Sequence, residues 1–249
     1  MGLFSSFLKK KEYPEFDFSQ FEVDMHSHLV PGIDDGAQNE TETIEMLKGF
    51  VDLGYKKMIT TPHIKLGMFD NTTQIIKEGG EKVKSLIEQH NIPIEFEAAA
   101  EYFFDFSFVE KIKKNDLLSF GNNFVLLEYS FGQAPMGEKE MYFELQMKGY
   151  VPILAHFERY TYYHGSVAVA EKLRNRGVKI QLNLGSLYGH YGPMVQKQAE
   201  LLIKEKQVDF VGTDCHRIEH LHLLKENSTN KNFHDLALLN LRNSSLRID

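Results

Sequence analysis

The chain has only one cysteine, Cys215, among its 249 residues, so no intrachain disulfide can staple the fold and a reducing compartment suits it best. It also lacks any run of about 18 apolar residues, which excludes a membrane-spanning helix. Basic charge is scarce too. Lys and Arg number 28 against 35 Asp and Glu, a net charge of -7, and Lys9-Lys10-Lys11 is the single run of three. A nucleic-acid partner would need a basic face, so none is expected. Linkers, low-complexity segments and internal repeats are absent as well.

The N-terminus lacks the charge-first order and long apolar stretch of a signal peptide. Met1-Gly2-Leu3-Phe4-Ser5-Ser6 matches the loose myristoylation pattern, which acts only in a eukaryotic host. Residues 1–20 are read as an N-terminal arm, with a short amphipathic segment touching a membrane or partner as the second reading. Residues 21–249 are read as one domain, for which 42% hydrophobic residues supply a sizeable core.

Within that domain, strand-like and helix-like runs alternate. The first strand has Phe21, Val23 and Met25 alternating against Glu22 and Asp24. Helical spacing then predicts Asn39–Leu53, Thr72–Gln89, Phe106–Lys114, Glu138–Lys148, Ser166–Arg176 and Pro193–Glu205, with a helical tail over Glu219–Arg242. Between them fall strands at Lys56–Thr60, Ile94–Ala100, Phe124–Leu127, Val151–Ala155, Val178–Leu182 and Val208–Val211. About seven β/α units in this length imply an α/β fold with a parallel sheet, closed or nearly closed into a barrel.

Ligands of such folds gather at the carboxyl ends of the strands. Metal-type residues sit at six of those ends: His26 and His28, His63, Glu101, Glu128, His156, then Asp214 and His216. His26 and His28 are two apart, so a strand turns both imidazoles to one face. An isolated His-x-His is as often a pair of surface polar residues; the repetition at successive strand ends is what points to metal. Mixed imidazole and carboxylate suits Mn, Fe or Zn and does not suit Ca.

His26-Ser27-His28, Pro31-Gly32-Ile33-Asp34-Asp35-Gly36, Thr61-Pro62-His63, His156-Phe157-Glu158-Arg159-Tyr160 and Thr213-Asp214-Cys215-His216 together resemble the PHP (polymerase and histidinol phosphatase) superfamily. More narrowly, they resemble its CpsB/CapC group of capsule-associated bacterial tyrosine phosphatases, over about Phe21 to His222. The resemblance implies a distorted (β/α)7 barrel of PHP type holding three divalent ions at the C-terminal ends of its strands. Mn is the first choice, with Fe, Zn or Mg as alternatives. It further implies that His26, His28 and Asp214 hold one ion, with Glu101 bridging to a second held by Glu128 and His156. Asp35, His63 and His216 would hold the third, Asp34 being the runner-up to Asp35. Phe157 departs from the proline usual after the fifth-strand histidine, which bears on the loop there.

The implied activity is a metal-dependent protein-tyrosine phosphatase that uses metal-activated hydroxide. Its substrate would be a membrane-associated bacterial tyrosine kinase of capsule or exopolysaccharide export. The location would be the cytoplasm, with recruitment to the inner face of the membrane. Arg159 and Arg217 fall just beyond proposed ligands, where guanidinium groups can clamp phosphate oxygens. Cys215 does not fit a thiolate phosphatase, because Leu221 stands six residues on where the arginine is needed and no glycine-rich loop follows; it reads as a small buried residue. His190 and His222 are further loop histidines, while His90 and His234 read as solvated. Tyr162, Tyr163, Tyr188 and Tyr191 read as loop packing, with stacking on an aromatic substrate as the alternative. Two other readings remain at this stage: hydrolysis of a small ester such as histidinol phosphate, and a catalytically weak adaptor that docks a kinase tail.

Overall fold

The computed structural model describes residues 13–247. Lys9-Lys10-Lys11 and the myristoylation-like start lie outside the described residues. Nine short strands are described: β1 (Val23–Asp24), β2 (Lys57–Thr60), β3 (His63–Ile64), β4 (Glu95–Ala98), β5 (Glu101–Phe103), β6 (Phe124–Glu128), β7 (Val151–Leu154), β8 (Lys179–Asn183) and β9 (Phe210–Gly212). All pair in parallel, in the orders β1-β2-β4 and β3-β5-β6-β7-β8-β9.

The two sheets are one curled wall. β3 resumes β2 after Thr61-Pro62, and β5 resumes β4 after Ala99-Ala100. Backbone bonds carry the pairing across both breaks: Thr61 N–H to Ser27 O at 2.7 Å, Ala99 N–H to Thr60 O at 2.8 Å and Glu101 N–H to Pro62 O at 3.1 Å. The last strand meets the first in the same way, with Asp214 N–H donating to His26 O at 2.8 Å and His28 N–H to Cys215 O at 2.9 Å. Seven parallel strand tracks, two of them interrupted, thus make the distorted barrel that the motifs imply.

The helices α1 (Glu40–Asp52), α2 (Thr73–Gln89), α3 (Phe106–Lys114), α4 (Glu138–Met147), α5 (Ala168–Arg174), α6 (Pro193–Lys204) and α7 (Ile218–Glu226) each follow a strand track. Three start at side-chain caps that the sequence supplies: Asn39, Thr72 and Asp105 accept from the backbone N–H of Glu42, Ile75 and Phe108. The tail is not one helix. It breaks at Asn227–Asn230 before α8 (Lys231–Ala237), where Asn, Ser and Thr offer the backbone other partners. Ser228 O instead accepts Phe16 N–H at 3.0 Å. Phe16 and Phe18 are buried against Phe21 and Phe233, so this part of the segment assigned to the arm packs into the core.

A large apolar cluster lies between helices and wall. A smaller one of Val23, Met25, Ile59, Phe124, Ile153 and Phe210, with their neighbours, fills the barrel below the strand ends. Asn243 seals its base: the buried side chain accepts Val211 N–H at 3.0 Å and donates to Val23 O at 2.9 Å and Val211 O at 2.8 Å. It therefore stitches β9 to β1 where the backbone ladder has not yet begun. Asn243→Ala is expected to lower unfolding free energy by about 3 kcal/mol, the cost of orphaning several buried backbone groups. A urea titration reads this directly; an unchanged midpoint would show that the seam does not depend on the side chain.

Candidate metal centre

Nine ligand-type side chains converge above this inner core. His26, His28 and Asp214 form one group and His26, Glu101 and His156 a second. His63, Glu101 and Glu128 form a third, and His28, Asp35, His63 and His216 a fourth; within each, one ligand atom per residue lies within 4.8 Å of the others. All nine residues singled out from the sequence are brought together. His63 stands between two groups: Nδ1 lies 3.1 Å from Glu101 and 3.5 Å from Glu128, while Nε2 lies 3.6 Å from Asp35.

Local backbone geometry aims these side chains. His156 has φ 32° and Asp214 φ 53°, left-handed values that strain residues bearing a Cβ. Each ends its strand by turning a ligand inward. Gly36 passes so close to His28 that a Cβ there would lie 2.2 Å from the His28 carbonyl oxygen. Only glycine fits at that point of the Pro-Gly-Ile-Asp-Asp-Gly loop.

Four buried ligand atoms have no hydrogen-bond partner: His26 Nε2, His28 Nε2, His63 Nδ1 and Glu101 Oε2. They face one another, with Glu101 Oε2 at 3.2 Å from His26 Nε2, 3.6 Å from His28 Nε2 and 3.1 Å from His63 Nδ1. Buried polar atoms normally find partners, so a cluster of orphaned lone pairs fits a cation. Burial acts to lower His26, but the carboxylates of Glu101 and Asp214 outweigh it and raise the imidazole to about 9. Burial, then the like charge of Glu101, pushes Glu128 up to about 8. Burial lowers His63 to about 4, leaving it a neutral donor. Adjacent buried carboxylates and free imidazole nitrogens suit divalent metal.

Behind the ligands stands an orienting layer. Gln181 Oε1 accepts His156 N–H at 2.9 Å and lies 3.1 Å from His26 Nδ1, which keeps the His26 Nε2 lone pair on the cluster side. Gln181 Nε2 donates to Asn183 at 2.8 Å, and Asn183 Nδ2 donates to Asp214 Oδ2 at 2.7 Å. Asp34 does not face the cluster as Asp35 does. Its Oδ2 lies 2.7 Å from His28 Nδ1 and accepts the His63 backbone N–H at 3.0 Å, so it aims the His28 imidazole and fixes the backbone that carries His63. The strand track without a ligand, β8, thus supplies amides in place of one. Its pattern Lys179-x-Gln181-x-Asn183 reads as a wet face. The usable signal was that both faces of a parallel barrel strand are buried.

Above the cluster opens a cleft of about 540 Å³ whose lining includes Lys65, Phe131, Arg159, Tyr191, Arg217 and His220. Arg159 is held by Asp214 Oδ2 at 3.0 Å and sandwiched between Phe131 and Tyr191, 4.4 and 4.3 Å from the ring centroids. Arg217 is exposed at the rim. Lys65, missed from the sequence, adds a cation over the Phe103 ring at 4.3 Å. Of the aromatic and histidine side chains flagged above, Tyr191 and His190 line this cleft, while Tyr162, Tyr163, Tyr188 and His222 do not. Phe157 is buried and stacks on Tyr163. Cys215 is free and fully buried, its thiol pushed far up by burial, which removes it as a nucleophile.

A parallel barrel with clustered metal-type side chains and a guanidinium above them defines a metal-centred hydrolase site. The capsular polysaccharide synthesis CpsB/CapC family model matches residues 22–224, and the chain belongs to that family. It is 27% identical to the tyrosine-protein phosphatase YwqE of Bacillus subtilis over 79% of this chain and 78% of that one. It is 25% identical to the tyrosine-protein phosphatase CpsB of Streptococcus agalactiae over 79% and 84%. Among solved structures, one from work on YwqE of Bacillus subtilis and CpsB of Streptococcus pneumoniae, described as unique metal-dependent tyrosine phosphatases, matches with a TM-score of 0.73 and 25% identity, covering 84% of this chain and 94% of that one. A histidinol phosphate phosphatase of Lactococcus lactis, at TM-score 0.51 and 16% identity, shares the fold.

The orienting role of Asp34 is open to direct test. Asp34→Asn keeps the shape but removes the carboxylate that fixes His28. Metal affinity, measured by competition with a chromophoric chelator, is expected to fall about ten- to a hundredfold while the protein stays folded. Unchanged affinity would mean that His28 is aimed by packing alone.

Proposed function

We propose that this chain is a metal-dependent protein-tyrosine phosphatase of capsular or exopolysaccharide synthesis, acting on a tyrosine-phosphorylated protein. The observation that carries the reading is the set of orphaned ligand atoms of His26, His28, His63 and Glu101 beneath a guanidinium-bearing cleft. Family membership and tyrosine-phosphatase relatives favour it over a small-ester hydrolase; the histidinol phosphate phosphatase shares the fold alone. The complete ligand set disfavours a catalytically inert adaptor.

In this reading the nine residues hold three divalent ions, Mn first, divided as the motifs imply: His26, His28, Asp214 and Glu101; Glu101, Glu128 and His156; Asp35, His63 and His216. Such ions lower the pKa of a bound water and offset the charge of phosphate oxygens. The protein's own groups do the rest. Arg159, fixed by Asp214 and two ring faces, presents its remaining N–H groups to the phosphoryl oxygens, and Arg217 closes on them from the rim. Asn183 and Tyr191 also donate to Asp214 Oδ2, at 2.7 and 3.3 Å, so that this carboxylate does not swing with the arginine; against its burial, His26, His28, His216 and Arg159 keep it ionised. The ordered side chains leave the scissile group little freedom, which supplies the positional part of the rate.

The kinase proposed as substrate would be membrane-associated, with the phosphatase working in the cytoplasm at the inner face of the membrane. The free, buried thiol of Cys215 suits a reducing compartment.

Phosphate release from a phosphotyrosine peptide tests this function. Activity is expected to vanish on chelation, return with Mn and be lost in His63→Ala. Arg159→Lys, which keeps the charge but loses the fork, is expected to lower kcat/KM by about tenfold or more. Turnover of histidinol phosphate alone would contradict the proposal, as would activity indifferent to chelation.

A further inference from the structure

The mouth of the cleft has two unlike halves. On the side of β9 and the loop after β1 it is polar, with Asp35, His216, Arg217, His190 and His220. On the side of β3, β5 and β6 apolar groups predominate, with Met68, Phe69, Phe103 and Phe131, and Lys65 lies over the Phe103 ring. Three of the four are tied to a member of the cluster. The Phe69 ring stacks on His63 at 5.2 Å and 9°, Phe103 pairs in register with Glu128, and the Phe131 ring lies 5.4 Å from His156. The arc therefore begins at the metal-type residues and rises to the rim.

Two of these side chains are open to solvent where a folded protein has no structural reason to leave them so. Met68 is 62% exposed at the tip of the short turn closed by the Lys65–Phe69 bridge, and Phe131 is 42% exposed despite its contact with Arg159. Leu66, 65% exposed, continues the apolar tip beside Met68. Exposed apolar groups gathered at the rim of a site mark contact with a ligand.

We infer that Met68 and Phe131 form the seat for the phenyl ring of the substrate, and so select aryl over alkyl phosphates. The inference rests on the phosphatase reading above. With the phosphoryl group at the floor beside Arg159, the ester oxygen and the group it carries must extend toward the mouth. A flat ring bonded to that oxygen extends along the wall that carries Phe131, 4.4 Å from Arg159, and the thioether of Met68. Ring and sulfur contacts of this kind favour an aromatic group specifically. A short polar alkyl group would leave the apolar arc wet and gain nothing from it. The polar half would then take the peptide backbone on either side of the tyrosine.

The test compares phenylphosphonate with methylphosphonate as non-hydrolysable ligands of the metal-reconstituted protein, by calorimetry. The native protein is expected to bind the phenyl compound about tenfold more tightly. Met68→Gln is expected to reduce that preference several-fold while methylphosphonate binding changes little; Phe131→Leu, which also frees one face of Arg159, is expected to weaken both ligands, the phenyl compound several-fold more. Met68 sits on an exposed turn, so its variant does not threaten the fold. Equal affinity for both ligands in the native protein would overturn the inference, as would equal losses for both in the two variants. Phosphotyrosine turnover without phenyl preference would remove the seat and leave the phosphatase standing. Phenyl preference without phosphotyrosine turnover would remove the phosphatase and leave the seat as a binding site for aryl anions.

Discussion

The interaction on which the molecule turns is that of the Glu101 carboxylate with the imidazoles around it. Glu101 is fully buried, and its Oε2 receives no hydrogen bond from the protein. An isolated carboxylate in such a place is very costly, and it is tolerated only where positive charge meets it. His26, His28 and His63 surround Oε2, and His156 faces Oε1 at 3.1 Å. These residues come from four different strand tracks, so the requirement of one carboxylate binds most of the barrel's upper rim together.

The irregularities of the barrel follow from that requirement. An ideal strand would carry alternate side chains past the centre. Here β2 and β4 break just before His63 and Glu101, while β7 and β9 are followed two residues on by the left-handed residues His156 and Asp214. Each break re-aims a ligand without disturbing the apolar packing beneath. The conformational cost at His156 and Asp214 is offset by a surrounding structure that fixes both: Gln181 holds the His156 backbone, and Asn183, Tyr191 and Arg159 hold the Asp214 side chain.

Much of this was legible in the sequence. Apolar runs marked strands and helices to within a few residues, and Asn39 and Thr72 announced helix starts because their side chains cap before any tertiary contact forms. The ligands were legible because each follows an apolar run, so that topology alone delivers them to one rim. The orienting layer was not. Gln181, Asn183 and Asn243 are polar residues whose partners on other strand tracks lie 25 to 220 positions away in the chain, and local pattern carries no trace of such partners. Asp34 and Asp35 could not be separated either, since neighbouring carboxylates differ only in which way the turn faces them. The break in the tail was signalled by Asn227-Ser228-Thr229-Asn230 and overruled by helical spacing on both sides.

The central claim is that these nine side chains hold a cluster of divalent ions. Anomalous diffraction at the manganese edge from crystals of the Mn-loaded protein tests it most directly. Three peaks are expected, one among His26, His28 and Asp214, one beside Glu128 and His156, and one among Asp35, His63 and His216. An empty cluster in crystals of protein that retains phosphatase activity would contradict it.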